Sequence, residues 1–268
     1  MIDRDGIDRI GRTGRDWFDR NSRALANFLD LRMEPMVAGW IVTIVAVAAV
    51  KVATAPVRPD GVLPTVAMLL PFLLVAISPV AGLRVAQSCF PRGGIGGQPA
   101  IRLCRYGAWR PLDLVAARNH PAFGARGFMV SLIAGIALNV PFRSVEFLLA
   151  VPAMGAGSPG WAQHLLVAMT IDVVAMNFFY IVCFVMALRA VSIFPRMLLF
   201  AWSLDLMLQL TIARSLGSTP DLPANVARAL LALLDGNVHK VLISAGLWLP
   251  YLILSERVNV TFRSRVRA

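Results

Sequence analysis

The sequence predicts an all-α, polytopic membrane protein with six transmembrane helices and an N-terminal amphipathic interfacial helix, on three observations. Hydrophobic residues make up 57% of the 268, more than one soluble core of that length needs. They gather into six runs, each near or above the roughly 17–25 residues that cross about 30 Å of hydrocarbon as a helix. Twenty of the 26 Lys and Arg lie on one side of those runs. Lipid offers backbone amides no partner, so continuous apolar runs of this length must be helices, and the alternating pattern of a membrane barrel is absent.

Residues 1–35 form a charged N-terminal segment. Within it, Arg15 to Met33 sets Trp17, Phe18, Leu25, Phe28 and Leu29 at near-helical spacing among Asp19, Arg20 and Arg23, the pattern of a helix lying in the headgroup layer. Residues 36–83 hold the first two spans, Met36–Ala55 and Val62–Leu83. An Arg-rich loop follows over 84–126, with Arg102, Arg105 and Arg110 as candidate lipid-headgroup or partner contacts. Its Gly93 to Gly97 stretch lacks the order of a phosphate-binding loop. Leu112–Asn119 is expected as a short surface helix with Pro111 at its start, and His120 as a loop residue.

Residues 127–268 are expected as a four-helix membrane unit with a basic tail, its spans being Gly127–Val151, Trp161–Leu188, Met197–Ala213 and Asn237–Leu254. Asp221-Leu222-Pro223, then Val226 to Leu234 and Asp235-Gly236, predicts a separate short capped helix on the outer surface before the last span.

The charge pattern sets the expected orientation. The positive-inside rule puts both termini in the cytoplasm. The charged N-terminus carries no pattern of a cleavable signal peptide, and in a bacterium the expected location is the inner membrane. The net charge of +11 is then the ordinary mark of topology and of contact with anionic headgroups rather than of nucleic-acid binding. Cys89, Cys104 and Cys183 have neither Cys-x-x-Cys nor His spacing, so neither a metal site nor a cofactor is expected.

Most of the chemistry lies in charges at membrane depth, where each costs about 2.5–3.5 kcal/mol to insert. Arg143 and Glu146 lie in the third span, Asp172 in the fourth and Asp205 in the fifth. Gly135, Asn139, Arg143 and Glu146 form one stripe at intervals of four, four and three, beside Pro141, which frees a backbone carbonyl one turn earlier. Asp205 and Gln209 are one turn apart, His164 and Asp172 share a face, and Lys240, Ser244, Trp248, Tyr251 and Ser255 follow helical spacing in the sixth span. Asn139, Arg143, Glu146, Asp172, Asp205 and Gln209 are therefore the candidate intramembrane site. As ionised groups its charges sum to −2, so at least one carboxyl is expected to be protonated, or paired with Lys51, Lys240, His164 or a bound cation. The plainer expectation is a structural pair, Arg143 with Glu146, snorkelling to the outer face.

Trp248-Leu249-Pro250-Tyr251, then Ser255, Arg257-Val258 and Thr261-Phe262, resembles the closing signature of the YdgK-like bacterial inner-membrane family, a domain of unknown function. Phe194-Pro195-Arg196 is similar to that family's Phe-Pro motif ahead of its third helix. The resemblance implies a four-helix unit over about Gly127 to Phe262, with no activity, substrate or cofactor attached. This chain departs from it by the extra N-terminal helix pair and the Arg-rich loop.

No H-E-x-x-H, G-x-S-x-G or surface cluster of His and carboxylates is present. The expected role is accordingly non-catalytic: an accessory or scaffolding component of a membrane complex or envelope process, its partners the anionic bilayer and a membrane protein or a second copy of the chain. The alternative is a small-solute or proton-coupled transporter using buried carboxylates.

Overall fold

A computed structural model describes residues 20–55, 61–93, 98–99, 106–155 and 157–268. Trp17, Phe18, Arg102, Arg105 and Cys104 lie outside the described residues. Helix α1 covers residues 20–31. It is followed by α2 (Met33–Ala53), α3 (Val62–Cys89), strand β1 (Trp109–Pro111), α4 (Leu114–Asn119), α5 (Phe128–Ala150), α6 (Gly160–Leu188), α7 (Phe194–Ser218), α8 (Ala224–Leu254), α9 (Glu256–Arg263) and β2 (Arg265–Arg267). Six of these helices, α2, α3 and α5 to α8, are 21 to 31 residues long and apolar enough to cross a membrane. The protein is an all-α, multi-pass membrane bundle.

The expected short outer helix does not exist as a separate element, because Val226 to Leu234 runs straight into the last span as the 31-residue α8. Asp235-Gly236 does not interrupt it: glycine inside a helix costs only about 1 kcal/mol, and the Asp235 carboxylate meets His239 one turn on at 3.4 Å. The surface helix in the loop begins later than expected, with Asp113 as its cap, its carboxylate accepting from the Val115 amide at 3.2 Å. His120 ends that helix, its ring Nδ1 accepting from the Ala122 amide at 3.1 Å.

The most extensive packing in the molecule is between α3 and α6, so the N-terminal pair and the four later spans share one core. Close approach is built in at Gly82, where a Cβ would lie 2.8 Å from the Phe178 carbonyl oxygen. Ser78 adds a hydroxyl donor to the Val174 carbonyl at 2.5 Å. Pro71, Pro79 and Pro141 sit inside continuous helices.

The ends of α3 and α6 that meet the Arg-rich loop are tied to each other and to α1 and α2 by basic side chains. Arg84 grips Glu34 through two bonds of 2.5 and 2.7 Å, Arg92 pairs with Asp30 at 2.9 Å, and Arg189 donates to the carbonyls of Gln87 and Phe90. Partial burial lowers the pKa of Arg189, an effect opposed by Asp30. Arg20 and Arg23 are exposed on α1, which buries Ser22, Ala26 and Leu29 and leaves Leu25 and Phe28 outward.

The basic tail is a packed element. Helix α9 buries Val258 to Phe262, the Thr261 hydroxyl accepts from the Gly124 amide at 3.0 Å, and Phe262 lies 5.0 Å from Phe194 between ring centroids. Strand β2 then pairs antiparallel with β1, opposing Val266 to the exposed Arg110.

Candidate functional site

Near the middle of the bundle, α5, α6 and α7 each turn polar residues toward one point, where Arg143 is 6% exposed, Asp172 2%, and Asp205 and Gln209 0%. The helical register explains why: Arg143 shares the buried face of α5 with Val140 and Phe147, while Asp205 and Gln209 fall one turn apart on the face of α7 that also buries Ala201, Trp202 and Ile212. Arg143 makes a two-pronged bond to Asp205, with Nη1 to Oδ2 at 2.8 Å and Nη2 to Oδ1 at 2.7 Å. Its Nη2 also reaches both oxygens of Asp172 at 3.0 and 3.1 Å. The Gln209 amide donates to Asp172 at 3.1 Å, and the Tyr180 hydroxyl donates to Asp205 at 2.8 Å. One planar guanidinium thus ties three spanning helices together, a geometry a lysine could not reproduce.

This corrects the expected pairing of Arg143 with Glu146. The two residues share a stripe, but Arg143 turns inward and the Glu146 carboxylate receives the ammonium of Lys240 from α8. Asn237 supports that ammonium at 3.3 Å. Two of the other expected counter-charges also lie elsewhere. Lys51 donates to the Leu148 carbonyl and sits 5.8 Å from the Phe72 ring centroid, and His164 is exposed on α6, apart from the buried Asp172.

Beside the cluster runs a groove of about 490 Å³ between α5 and α8. Gly135, Asn139, Arg143 and Glu146 form one wall, Asn237, Lys240, Ser244 and Trp248 the other, and Tyr180, Trp202 and Asp205 the floor. Helix α8 packs mainly on α7, and α5 mainly on α6, so along this face the two are bridged chiefly by the Lys240–Glu146 pair. The groove is at mid-helix height and opens sideways: Phe142 and Leu138 on its lip are exposed, and the Lys240 side chain is 61% exposed. Among the described residues, Arg143 Nε and Gln209 Oε1 are buried with no hydrogen-bond partner.

Of the six candidate residues, Arg143, Asp172, Asp205 and Gln209 meet in one cluster, while Asn139 and Glu146 line the adjoining groove. Sequence reading missed Tyr180. Its signal is its place two turns beyond Asp172 on α6, a polar tip on the same helix. It also missed the buried pair Asn177 and Ser144, whose side chains bond at 2.8 Å across α6 and α5.

What the arrangement can do follows from its charges. Arg143 faces two carboxylates and so leaves one negative charge in excess, while Glu146 and Lys240 cancel; the expected sum of −2 becomes −1. Such a site can hold and orient a polar or charged group at mid-helix height. Comparison with protein-family models, with curated proteins and with solved structures gives no significant match to this chain.

Proposed function

We propose that this protein binds a small solute within the bilayer and acts as a small-solute or proton-coupled transporter of the bacterial inner membrane, with both termini in the cytoplasm. The observation that carries the reading is the polar groove between α5 and α8. A cleft that presents Asn139, Ser244 and the Lys240–Glu146 pair sideways at mid-helix height sets those polar groups against hydrocarbon unless a polar occupant covers them. Transporter binding sites lie at that depth. The buried Arg143 cluster behind it supplies a fixed electrostatic floor and carboxylates that can exchange a proton.

The second reading is the accessory or scaffolding role, with a partner's transmembrane segment as occupant. It is favoured by the exposure of Lys240 and by the outward Leu25 and Phe28 of α1, a face suited to the headgroup layer or to a partner. Purification in native nanodiscs, with mass spectrometry of everything retained, separates the two. The solute reading expects a lone protein carrying a small molecule in stoichiometric amount, displaced when Asn139 is replaced by Leu. A stoichiometric partner protein that crosslinks to a photoreactive residue at Ser244, with no retained solute, overturns it in favour of the accessory role.

A further inference from the structure

We infer that the occupant of the α5–α8 groove is an organic cation; this rests on the solute-binding reading and names the chemical class of the solute. The first ground is charge. The charged residues that line the groove cancel in pairs, Arg143 with Asp205 and Lys240 with Glu146, but Arg143 is also shared with Asp172, buried just behind the groove at 3.0 to 3.1 Å, so two carboxylates face one guanidinium. With both carboxyls ionised, the cluster behind the groove carries one uncompensated negative charge at mid-helix depth, where Coulomb interactions are far stronger than in water. A cation seated in the groove cancels it, whereas an anion doubles it.

The second ground is the surface that meets the occupant. Phe142, Tyr180, Trp202 and Trp248 line the groove, and the faces of such rings attract cations, most strongly when water is excluded. A small inorganic ion is a poor fit. It demands a close cage of six or more oxygens, and a groove of about 490 Å³ walled by aromatic rings does not close to that size. A weakly hydrated cation with its charge spread over carbon fits both the volume and the walls. The third ground is access, since the sideways opening at mid-helix height faces the bilayer, where lipophilic cations dissolve.

The test uses two ions of matched size and shape but opposite sign. Tetraphenylphosphonium and tetraphenylborate are titrated into the full-length protein in nanodiscs of uncharged lipid, with tryptophan fluorescence and calorimetry as readouts and empty nanodiscs subtracted. The expected result is saturable binding of the phosphonium at least about tenfold tighter than of the borate. Two substitutions at the exposed ion pair then move affinity in opposite directions: Glu146→Gln weakens phosphonium binding about tenfold, and Lys240→Met tightens it by a similar factor. A purely structural role for the pair would shift both variants the same way. Equal or tighter binding of the borate, or shifts of the same sign, overturns the cation assignment. Failure of both ions to bind overturns it as well, while a solute retained in native nanodiscs would still support the solute-binding reading on its own.

Discussion

Arg143 and Lys240 are both basic residues near the middle of spanning helices, and each faces a carboxylate on another helix, yet the two pairings are built differently. The Arg143 side chain is 7% exposed and its guanidinium is shared between two carboxylates on side chains 2% and 0% exposed. The Lys240 side chain is 61% exposed and meets a single carboxylate, on a Glu146 side chain that is 32% exposed. The first joins α5, α6 and α7 into a unit; the second spans a gap between helices that hardly touch elsewhere. The contrast teaches that membrane depth alone does not assign a role to a charge. A buried, multiply bonded charge fixes the bundle, and an exposed pair beside it is left to meet something else.

The largest expected effect breaks the buried side of the comparison. Arg143→Met leaves Asp172 and Asp205 facing each other without a cation, and removing one partner of a buried pair costs about 3–5 kcal/mol. In a folding assay in bicelles or detergent the variant loses that much stability or fails to accumulate. Adding Asp172→Asn and Asp205→Asn to it removes the stranded carboxylates and restores much of the loss. Next comes Tyr180→Phe, which deletes one donor to Asp205 without changing the ring. A hydrogen bond to a charged group is worth about 1.5–3 kcal/mol, and the same assay checks that figure.

The legible part of this molecule is the part that periodicity encodes. Six apolar runs and the stripe of Asn139, Arg143 and Glu146 are visible because an α-helix repeats every 3.6 residues and lipid tolerates little else. Which way a long side chain turns from that stripe is not encoded locally. Arg143 and Glu146 are three residues apart, and only the placement of α7 and α8 sends one inward to Asp205 and the other out to Lys240. The continuity of α8 was hidden for a similar reason, since Asp235-Gly236 is a turn signal by composition and packing overrides it. The docking of the tail was also hidden: α9 is polar in composition but buries Val258 to Phe262 against residues far earlier in the chain.

Gly82→Ala is a reference free of charge, testing whether the α3–α6 seam is as exacting as the cluster it supports. The added Cβ would stand 2.8 Å from the Phe178 carbonyl oxygen and 3.3 Å from its Cα. Backbone cannot swing aside as a flexible side chain can, so one helix must shift, at about 1–3 kcal/mol. Thermal unfolding followed by circular dichroism measures it, and an effect near zero would mean that α3 and α6 slide freely, leaving the cluster alone to hold the register.

Lys240→Met, the smallest expected effect, sharpens the comparison most. Methionine keeps the length of the stem while removing the ammonium. What is lost is one partly exposed ion pair, worth less than about 1 kcal/mol. What is gained is relief from holding an ammonium at membrane depth, and it is offset by the Glu146 carboxylate left without its cation, a cost of similar size on the insertion scale. The two oppose, so the variant should fold with stability within about 1 kcal/mol of the parent, measured beside Arg143→Met in the same assay. Should Lys240→Met prove as damaging as Arg143→Met, the ammonium must be as structural as the guanidinium, α8 must depend on it for its place, and the groove would be a closed seam instead of an open site. A near-neutral result leaves a charged pair that the fold does not need, exposed at the one depth where charge is most expensive to keep.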